Sequence, residues 1–488
     1  MTALLIFAGF STVFCLAQDS INSSENWPGF RGTGNSVSNA NTAPIEWSPN
    51  RNIAWKANTP GYGQSSPVVW NNQVFVTSIE GASKENLLVH ALGISNGTIG
   101  WSRTFTSSQK GRNNPMMSRA APTPVVDEKA IYAFFESGDL IALSHSGETL
   151  WKTSLASETN ELKNNHGLGC SPAQTSNFVI LLIDHAGPSF MMAINKKTGE
   201  KVWKTTRASR SSWTSPTIAT IKNREVVVAS SSGSLDVYDA ATGKSISTYG
   251  GLTGNTIPSP CVVDDKILIG SGENRMNQNL AASRESNCCI TLKPDNSEHS
   301  LTATWKSKKV ISHHASPIGY KDHAYFIDKT GILYCLNIHN GEERYSMRLP
   351  NQQWATPVAA ANNIYLFGKE GVTTVIEAGP EWKLVSTNRI WSEDTAAQRQ
   401  EASRKAAKAE DEKRSSSGEN PSRGNPTGGR SRGPGGGPPL PAAELEATRY
   451  SAVGDVIYGA AIVNNAIFIR SGNEVFCIRN ANISGVKK

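Results

Sequence analysis

The chain has 488 residues, 38% of them apolar and 18% charged, with 48 Lys and Arg against 41 Asp and Glu, a formal charge of +7. That apolar content is ordinary for a globular protein. The excess charge is spread thinly, without the basic run a nucleic-acid interface would need, so no nucleic-acid partner is expected.

The first element is an apolar stretch, Ala3 to Leu16, too short to span a bilayer and ending in Cys15-Leu16-Ala17. Residues 1–17 read as a signal peptide cut before Gln18, the alternative being a buried first strand. The expected location is therefore the periplasm or cell envelope. No later segment reads as a transmembrane helix.

From there one phrase returns. An apolar strand opens on a Pro at Pro67, Pro124, Pro172, Pro216, Pro260, Pro317 and Pro357, in steps of 40 to 57 residues. Two further strands follow, then a Gly turn leading to an aromatic: Gly97 before Trp101, Gly147 before Trp151, Gly199 before Trp203, Gly243 before Tyr249, Gly341 before Tyr345. An eighth copy, Ala461-Ile462-Val463, has Ala at the Pro position. A period near 45 residues with four short strands per unit predicts a single all-β, eight-bladed propeller. In the third copy the strands are expected at Ser171–Gln174, Phe178–Ile183, Ser189–Ile194 and Lys201–Thr205.

Ile53-Ala54-Trp55-Lys56 fits a fourth strand but precedes the first inner strand, whereas the last copy, ending near Val475, lacks one. The N-terminal strand should complete the eighth blade and remove the exposed edges. Blades one to seven are placed in residues 18–392, and the last blade in 448–488. Between them, residues 393–447 shift to Ala, Lys, Glu and Arg, then Gly, Pro and Ser, and are read as a disordered insertion whose first half is at most a transient polar helix.

Strand alternation fixes a direction. With the start of each inner strand called the top, the loops before each Pro and after each second strand share that end. There the long segments Phe105–Arg119, Ala156–Gly169 and Gly270–Asn287 gather, and loops on one end of a rigid scaffold carry function. The bottom holds the Gly turns and the Asn71-Asn72 and Asp264-Asp265 turns.

The phrases Ser66-Pro67-Val68-Val69, Val74-Phe75-Val76 and Tyr238-Asp239-Ala240-Ala241-Thr242-Gly243-Lys244 resemble the pyrroloquinoline-quinone (PQQ)-type propeller repeat, over about residues 50–392 and 450–480. The Trp27-Pro28-Gly29-Phe30-Arg31-Gly32 opening is similar to the start of many exported propellers of this class. The class includes the propeller lipoprotein of the outer-membrane β-barrel assembly machinery, and a fold of this kind hosts many functions. The resemblance to its quinoprotein dehydrogenases implies a calcium ion with acidic ligands, a catalytic Asp, a stacking Trp and often a disulfide between adjacent cysteines. Cys288-Cys289 is adjacent, but Cys289 aligns with Cys335 and Cys477, a repeated small core position rather than a metal site. No calcium loop is evident.

The candidate site is the axial top face: Arg119, His166, Asp184, His185, Trp213, His313, His314 and Trp354. Imidazoles, a guanidinium and aromatic faces there would suit an anionic or sugar ligand. The alternatives are that Trp213 and Trp354 plug the channel while the His residues bond to backbone, or that His166, His185 and His313 hold a metal. Gly272–Asn287, with Arg275 and Arg284, is either a lid or a surface loop. No nucleophile motif, phosphate loop or paired carboxylates appear. The reading is a monomeric, non-catalytic envelope propeller that binds a protein or glycan partner and needs no cofactor. Its rival is a PQQ- or metal-dependent oxidoreductase using His166, Asp184 and His185.

Overall fold

A computed structural model describes residues 26–416 and 456–480, apart from 112, 114–117, 159–161, 163, 165, 274–278 and 295–298. The strands form eight four-stranded antiparallel sheets. Each sheet is one blade, with its first strand innermost; the inner strands are Val68–Trp70, Val125–Val126, Ala173–Gln174, Thr217–Ile221, Cys261–Val263, Ile318–Tyr320, Val358–Ala360 and Gly459–Val463. The first and last of these lie side by side, which closes the ring.

Closure follows the expected pairing. Ile53–Asn58 is the outer strand of blade eight, with Trp55 opposite Cys477 and Ala57 opposite Val475. Register corrects one detail of the repeat. Val463 pairs with Ala466 as Trp70 pairs with Gln73, so Ala460, not Ala461, stands at the Pro position and Gly459 at the preceding hydroxyl.

The Gly-to-aromatic phrase is a contact between neighbours. The indole N–H of Trp55, Trp101, Trp151, Trp203 and Trp305 donates to a carbonyl of the next blade, that of Ile94, His145, Lys196, Ala240 and Ile338, at 2.8–3.1 Å. The same indoles cover the turn glycines of that next blade. At Gly199 φ is +74° and a Cβ would stand 2.7 Å from Trp151, so a side chain is barred by backbone conformation and by the ring.

The hydroxyl before each Pro serves a second ring, nearer the axis. The N–H groups of Ser66, Thr123, Ser171, Ser215, Ser259 and Ser316 donate to the hydroxyls of Thr123, Ser171, Ser215, Ser259, Ser316 and Thr356 at 2.8–3.1 Å. Each such bond contributes about 0.5–1.5 kcal/mol, and Pro at the next position holds the extended backbone that aims it. At blade eight a Cβ on Gly459 would collide with the Ser66 hydroxyl. There Arg470 bridges to blade one instead, donating to the Ser65 and Ser78 hydroxyls at 2.6 and 3.2 Å.

The opening motif fills the channel. Trp27 bridges to Val69, the Pro28 carbonyl accepts from Val126, and Arg31 donates to the Thr217 hydroxyl and the Pro260 carbonyl at 2.9 and 2.8 Å. Ser36 and Ser38 bond to Ala359, and the Ser38 hydroxyl donates to the Ile462 carbonyl. Residues 27–38 thus thread the axis against inner strands on all sides. A cavity of about 230 Å³ remains between this segment and blades two to four, lined by Phe30, Thr33, Val125, Gln174, Thr217 and Ile218 among others.

The segment after blade seven departs from expectation. Glu393–Ser416 is an α-helix rather than a disordered start to an insertion. Ser392 caps it through the Thr395 N–H, Glu393 and Asp394 suit its first turn, and its Ala, Gln, Arg and Lys favour helix. Its first turns dock: Ala396 is buried, and Arg399 lies 4.4 Å above Trp391 and 2.7 Å from the buried Glu474 carboxylate. The rest of the proposed insertion, 417–447, and the proposed signal peptide lie outside the described residues. No helix among the described residues is long and apolar enough to cross a membrane.

Candidate functional site

The contacts of the eight candidate residues run along several seams between blades.

Asp184 and His185 follow the second strand of blade three and are buried. Asp184 receives Arg207 at 2.9 and 3.3 Å and the Ser231 hydroxyl of blade four. Arg207 also reaches Tyr238 and stands 3.3 Å from Asp236. Burial alone would depress the Arg207 guanidinium, but Asp184, with Tyr238 and Asp236, drives it above the ordinary arginine range. His185 is fixed as a neutral ring: its Nδ1 accepts from the Gly187 N–H at 3.1 Å, so Nε2 donates to the Pro188 carbonyl at 3.0 Å. Burial lowers its pKa accordingly. Asp184 joins blade three to blade four through the Ser231 hydroxyl, and the His185 ring is bound by backbone of its own loop.

His166 and Trp213 do meet, with ring centroids 5.7 Å apart. Trp213 donates its indole N–H to the Gly167 carbonyl and its backbone N–H to the Thr256 carbonyl, at 2.8 and 2.7 Å, spanning blades three to five. His313, His314 and Trp354 form a second aromatic group, His314 lying 4.5 Å from Trp354 at 32° and Lys369 lying 4.7 Å above the same indole. Burial, with His313, Lys329 and Lys369 nearby, pushes His314 down to about 3. His313 is lowered by burial and Lys329, and its Nε2 is 3.8 Å from Glu273.

Arg119 stands apart, at the seam of blades one, two and eight. Its backbone is clamped to Gln64 by two hydrogen bonds, from the Arg119 N–H to the Gln64 side chain at 2.8 Å and from the Gln64 N–H to the Arg119 carbonyl at 3.0 Å. Its guanidinium lies 3.5 Å above the Tyr62 ring. Tyr62 and Tyr458 hydroxyls are 3.2 Å apart, and the Gln64 amide donates to Tyr458 at 3.2 Å. Behind them Arg470, fully buried, donates to the Gly472 carbonyl at 3.1 Å, and Tyr62 packs so closely that a Cβ on Gly472 would be 2.8 Å from its ring. Burial brings Arg470 down to about 9. The same cation, after burial itself, helps hold His90 at about 4. Tyr62, Gln64, Tyr458 and Arg470 were not read from the sequence; the one signal was the place of the first three in segments before an inner strand, whereas Arg470 lies in the strand Ala466–Ser471.

The chemistry of a quinone with calcium does not fit these residues. Among the described residues no group of three or more His, Cys, Asp and Glu is placed to hold a metal. His166 lies against Trp213, His185 is bound by its own loop, and His313 stands beside Glu273. Cys288 packs with Val237 and Ile267 in one inter-blade core while Cys289 packs with Trp305 and Phe326 in the next, and both thiols are free. Strand alternation puts them on opposite faces of the sheet, where no bond between them can form. Of the expected lid, residues 274–278, including Arg275, lie outside the described residues. The remainder holds the short helix Leu280–Glu285, fastened by the buried Asn287 amide to the Ser271, Ser283 and Val310 carbonyls at 2.9–3.0 Å.

Fold and site together define a PQQ-like repeat propeller whose channel is filled by its own chain and whose top-face polar groups are largely spent on joining blades. The signature of the family described as Outer membrane protein assembly factor BamB matches residues 37–187 and 171–346, well over half of the sequence, and the chain belongs to that family. Among solved structures it is similar to BamB from Moraxella catarrhalis, at 12% identity and a TM-score of 0.55, covering 88% of this chain and 98% of that one. A quinohemoprotein alcohol dehydrogenase from Comamonas testosteroni also matches, at 11% identity and a TM-score of 0.41 over 74% of this chain and 78% of its own. Comparison with curated proteins finds no match in sequence.

Proposed function

We propose that the protein is an exported, non-catalytic scaffold of the cell envelope that holds a protein partner on its top face, in the assembly of outer-membrane proteins. Family membership supports the setting. The observation that carries the reading is the fate of Asp184 and His185: Asp184 is consumed by the buried Arg207 and by Ser231 of the next blade, and the His185 ring is bound by its own loop, while Arg119 is left partly exposed at another seam. A protein partner is favoured over a glycan because the indoles that would stack on a sugar are covered, Trp213 by His166 and Trp354 by His314 and Lys369.

Photo-crosslinking residues placed at Gln64 and Arg284 on the top, and at Asn72 and Asp265 on the bottom, test this in cells. Crosslinks to an outer-membrane assembly protein from the top positions only are expected. Crosslinks confined to the bottom, or alcohol oxidation by the purified protein with PQQ and calcium, would overturn it.

A further inference from the structure

Cations on this propeller are generally matched. Lys84 has Glu136 at 3.0 Å, Lys196 has Asp127 at 2.8 Å, and Arg207 has Asp184 at 2.9 Å. Arg31 in the channel, held by the Thr217 hydroxyl and the Pro260 carbonyl, departs from that pattern, and so does the seam of blades eight, one and two. Arg470 is surrounded by hydroxyls and carbonyls and has no carboxylate within 4 Å among the described residues. Arg119 lies over the Tyr62 ring, and its Nε is buried with no hydrogen-bond partner among the described residues. Both guanidiniums neighbour Tyr62, and neither has a carboxylate within 4 Å among the described residues. A buried cation without a counter-charge costs several kcal/mol, and an unpaired buried N–H calls for an acceptor that arrives from outside.

The seam is also shaped. Arg119 is held 3.5 Å above the Tyr62 ring centroid with its backbone clamped to Gln64, and the same Gln64 side chain bonds the Tyr458 hydroxyl. Tyr62, Gln64, Arg119 and Tyr458 are all partly exposed, so a ligand can reach them, while the buried Arg470 supplies charge from behind. A guanidinium edge with one phenol hydroxyl matches the in-plane lone pairs of a single carboxylate.

We propose that this seam is a carboxylate-binding site in which Arg119 makes the ionic contact, Tyr458 a hydrogen bond, and Tyr62 and Gln64 hold both in place. It deepens the reading of the top face as a docking surface and rests on it only for the source of the carboxylate, an Asp or Glu side chain of the bound protein.

The test uses the purified full chain and titration calorimetry at constant ionic strength, with glutarate, inorganic phosphate and an Asp/Glu-rich decapeptide as probes. Glutarate should bind saturably, with affinity falling at least tenfold in Arg119→Gln and severalfold in Tyr458→Phe, and unchanged in Arg224→Gln on another blade. The decapeptide should bind more tightly than glutarate and lose the same factor in Arg119→Gln, which identifies a polypeptide carboxylate; equal or weaker peptide binding assigns the site to small carboxylates and overturns that source alone. No glutarate binding, binding that survives Arg119→Gln, or binding of phosphate in preference to glutarate would each overturn the site. Melting temperatures of the variants within about 2 °C of the parent show that a loss is not unfolding. None of these results depends on the crosslinking outcome, so the two readings fail separately.

Discussion

Two seams on the same end of this ring use the same kinds of residue to opposite effect. Between blades three and four, Arg207 lies among Asp184, Asp236 and Tyr238, closed off from solvent and satisfied on every side. Between blades eight, one and two, Arg470 and Arg119 carry as much charge with no carboxylate beside them, and the outer cation rests on an aromatic face. The difference is one of saturation. A closed network rigidifies the ring and has nothing left to offer a ligand, whereas an unsaturated one stores affinity at the cost of some stability.

That contrast predicts a graded set of effects. Asp184→Ala should be the most damaging change, about 3 kcal/mol, because it removes the bidentate partner of the buried Arg207 and leaves it only Asp236 and Tyr238; denaturant unfolding should show it, and a loss under 1 kcal/mol would mean that the lock carries little of the inter-blade stability.

Acid should act on the other seam. His90, held near 4 by burial and by Arg470, has its folded pKa below the ordinary 6.5, so its contribution is complete above about pH 6.5 and is lost as pH falls from there toward 4. The slope is at most about 1.4 kcal/mol per pH unit for this group. His90→Gln should flatten the fall in melting temperature between pH 6.5 and 4.5 by that share, and His314, held near 3, adds a similar fall of its own.

Arg470→Met should cost less than Asp184→Ala, about 1–2 kcal/mol, since it removes a costly charge together with its hydroxyl bonds. It should also raise the His90 pKa toward 6.5, readable by NMR titration. An equal or larger loss than Asp184→Ala would erase the distinction between the seams. Arg119→Gln should be the mildest, within about 0.5 kcal/mol, because the side chain is partly exposed and its Nε has no hydrogen-bond partner among the described residues.

The ring was legible because its repeated contacts join adjacent copies. A turn Gly and the Trp of the preceding blade meet as neighbours, as do successive hydroxyl–Pro pairs, so each leaves a mark at the repeat period. Blade closure was legible for the same reason: Trp55 and Gly97 repeat the pairing of Trp151 and Gly199. The channel plug and the charged seams were not. Arg31 meets Thr217 and Pro260 at separations of 186 and 229 residues, and Arg470 meets Ser65 at 405, with no period to announce them. Asp184 and His185 were placed on the correct end of blade three, but whether a carboxylate faces solvent or a buried arginine depends on a strand in the next blade. The helix at Glu393–Ser416 was legible only as a transient one, because the docking of Arg399 on Trp391 and Glu474 lies outside its composition.

The central claim is that the unsaturated seam, not the saturated one, is where this protein meets its partner. Photo-crosslinking residues at Gln64 and at Arg210, compared in the same cells, test it most directly. The account predicts one strong crosslinked partner from Gln64, weakened by a second change of Arg119→Gln, and little from Arg210. A partner captured from Arg210 alone, or from Gln64 with full efficiency after Arg119→Gln, would contradict it.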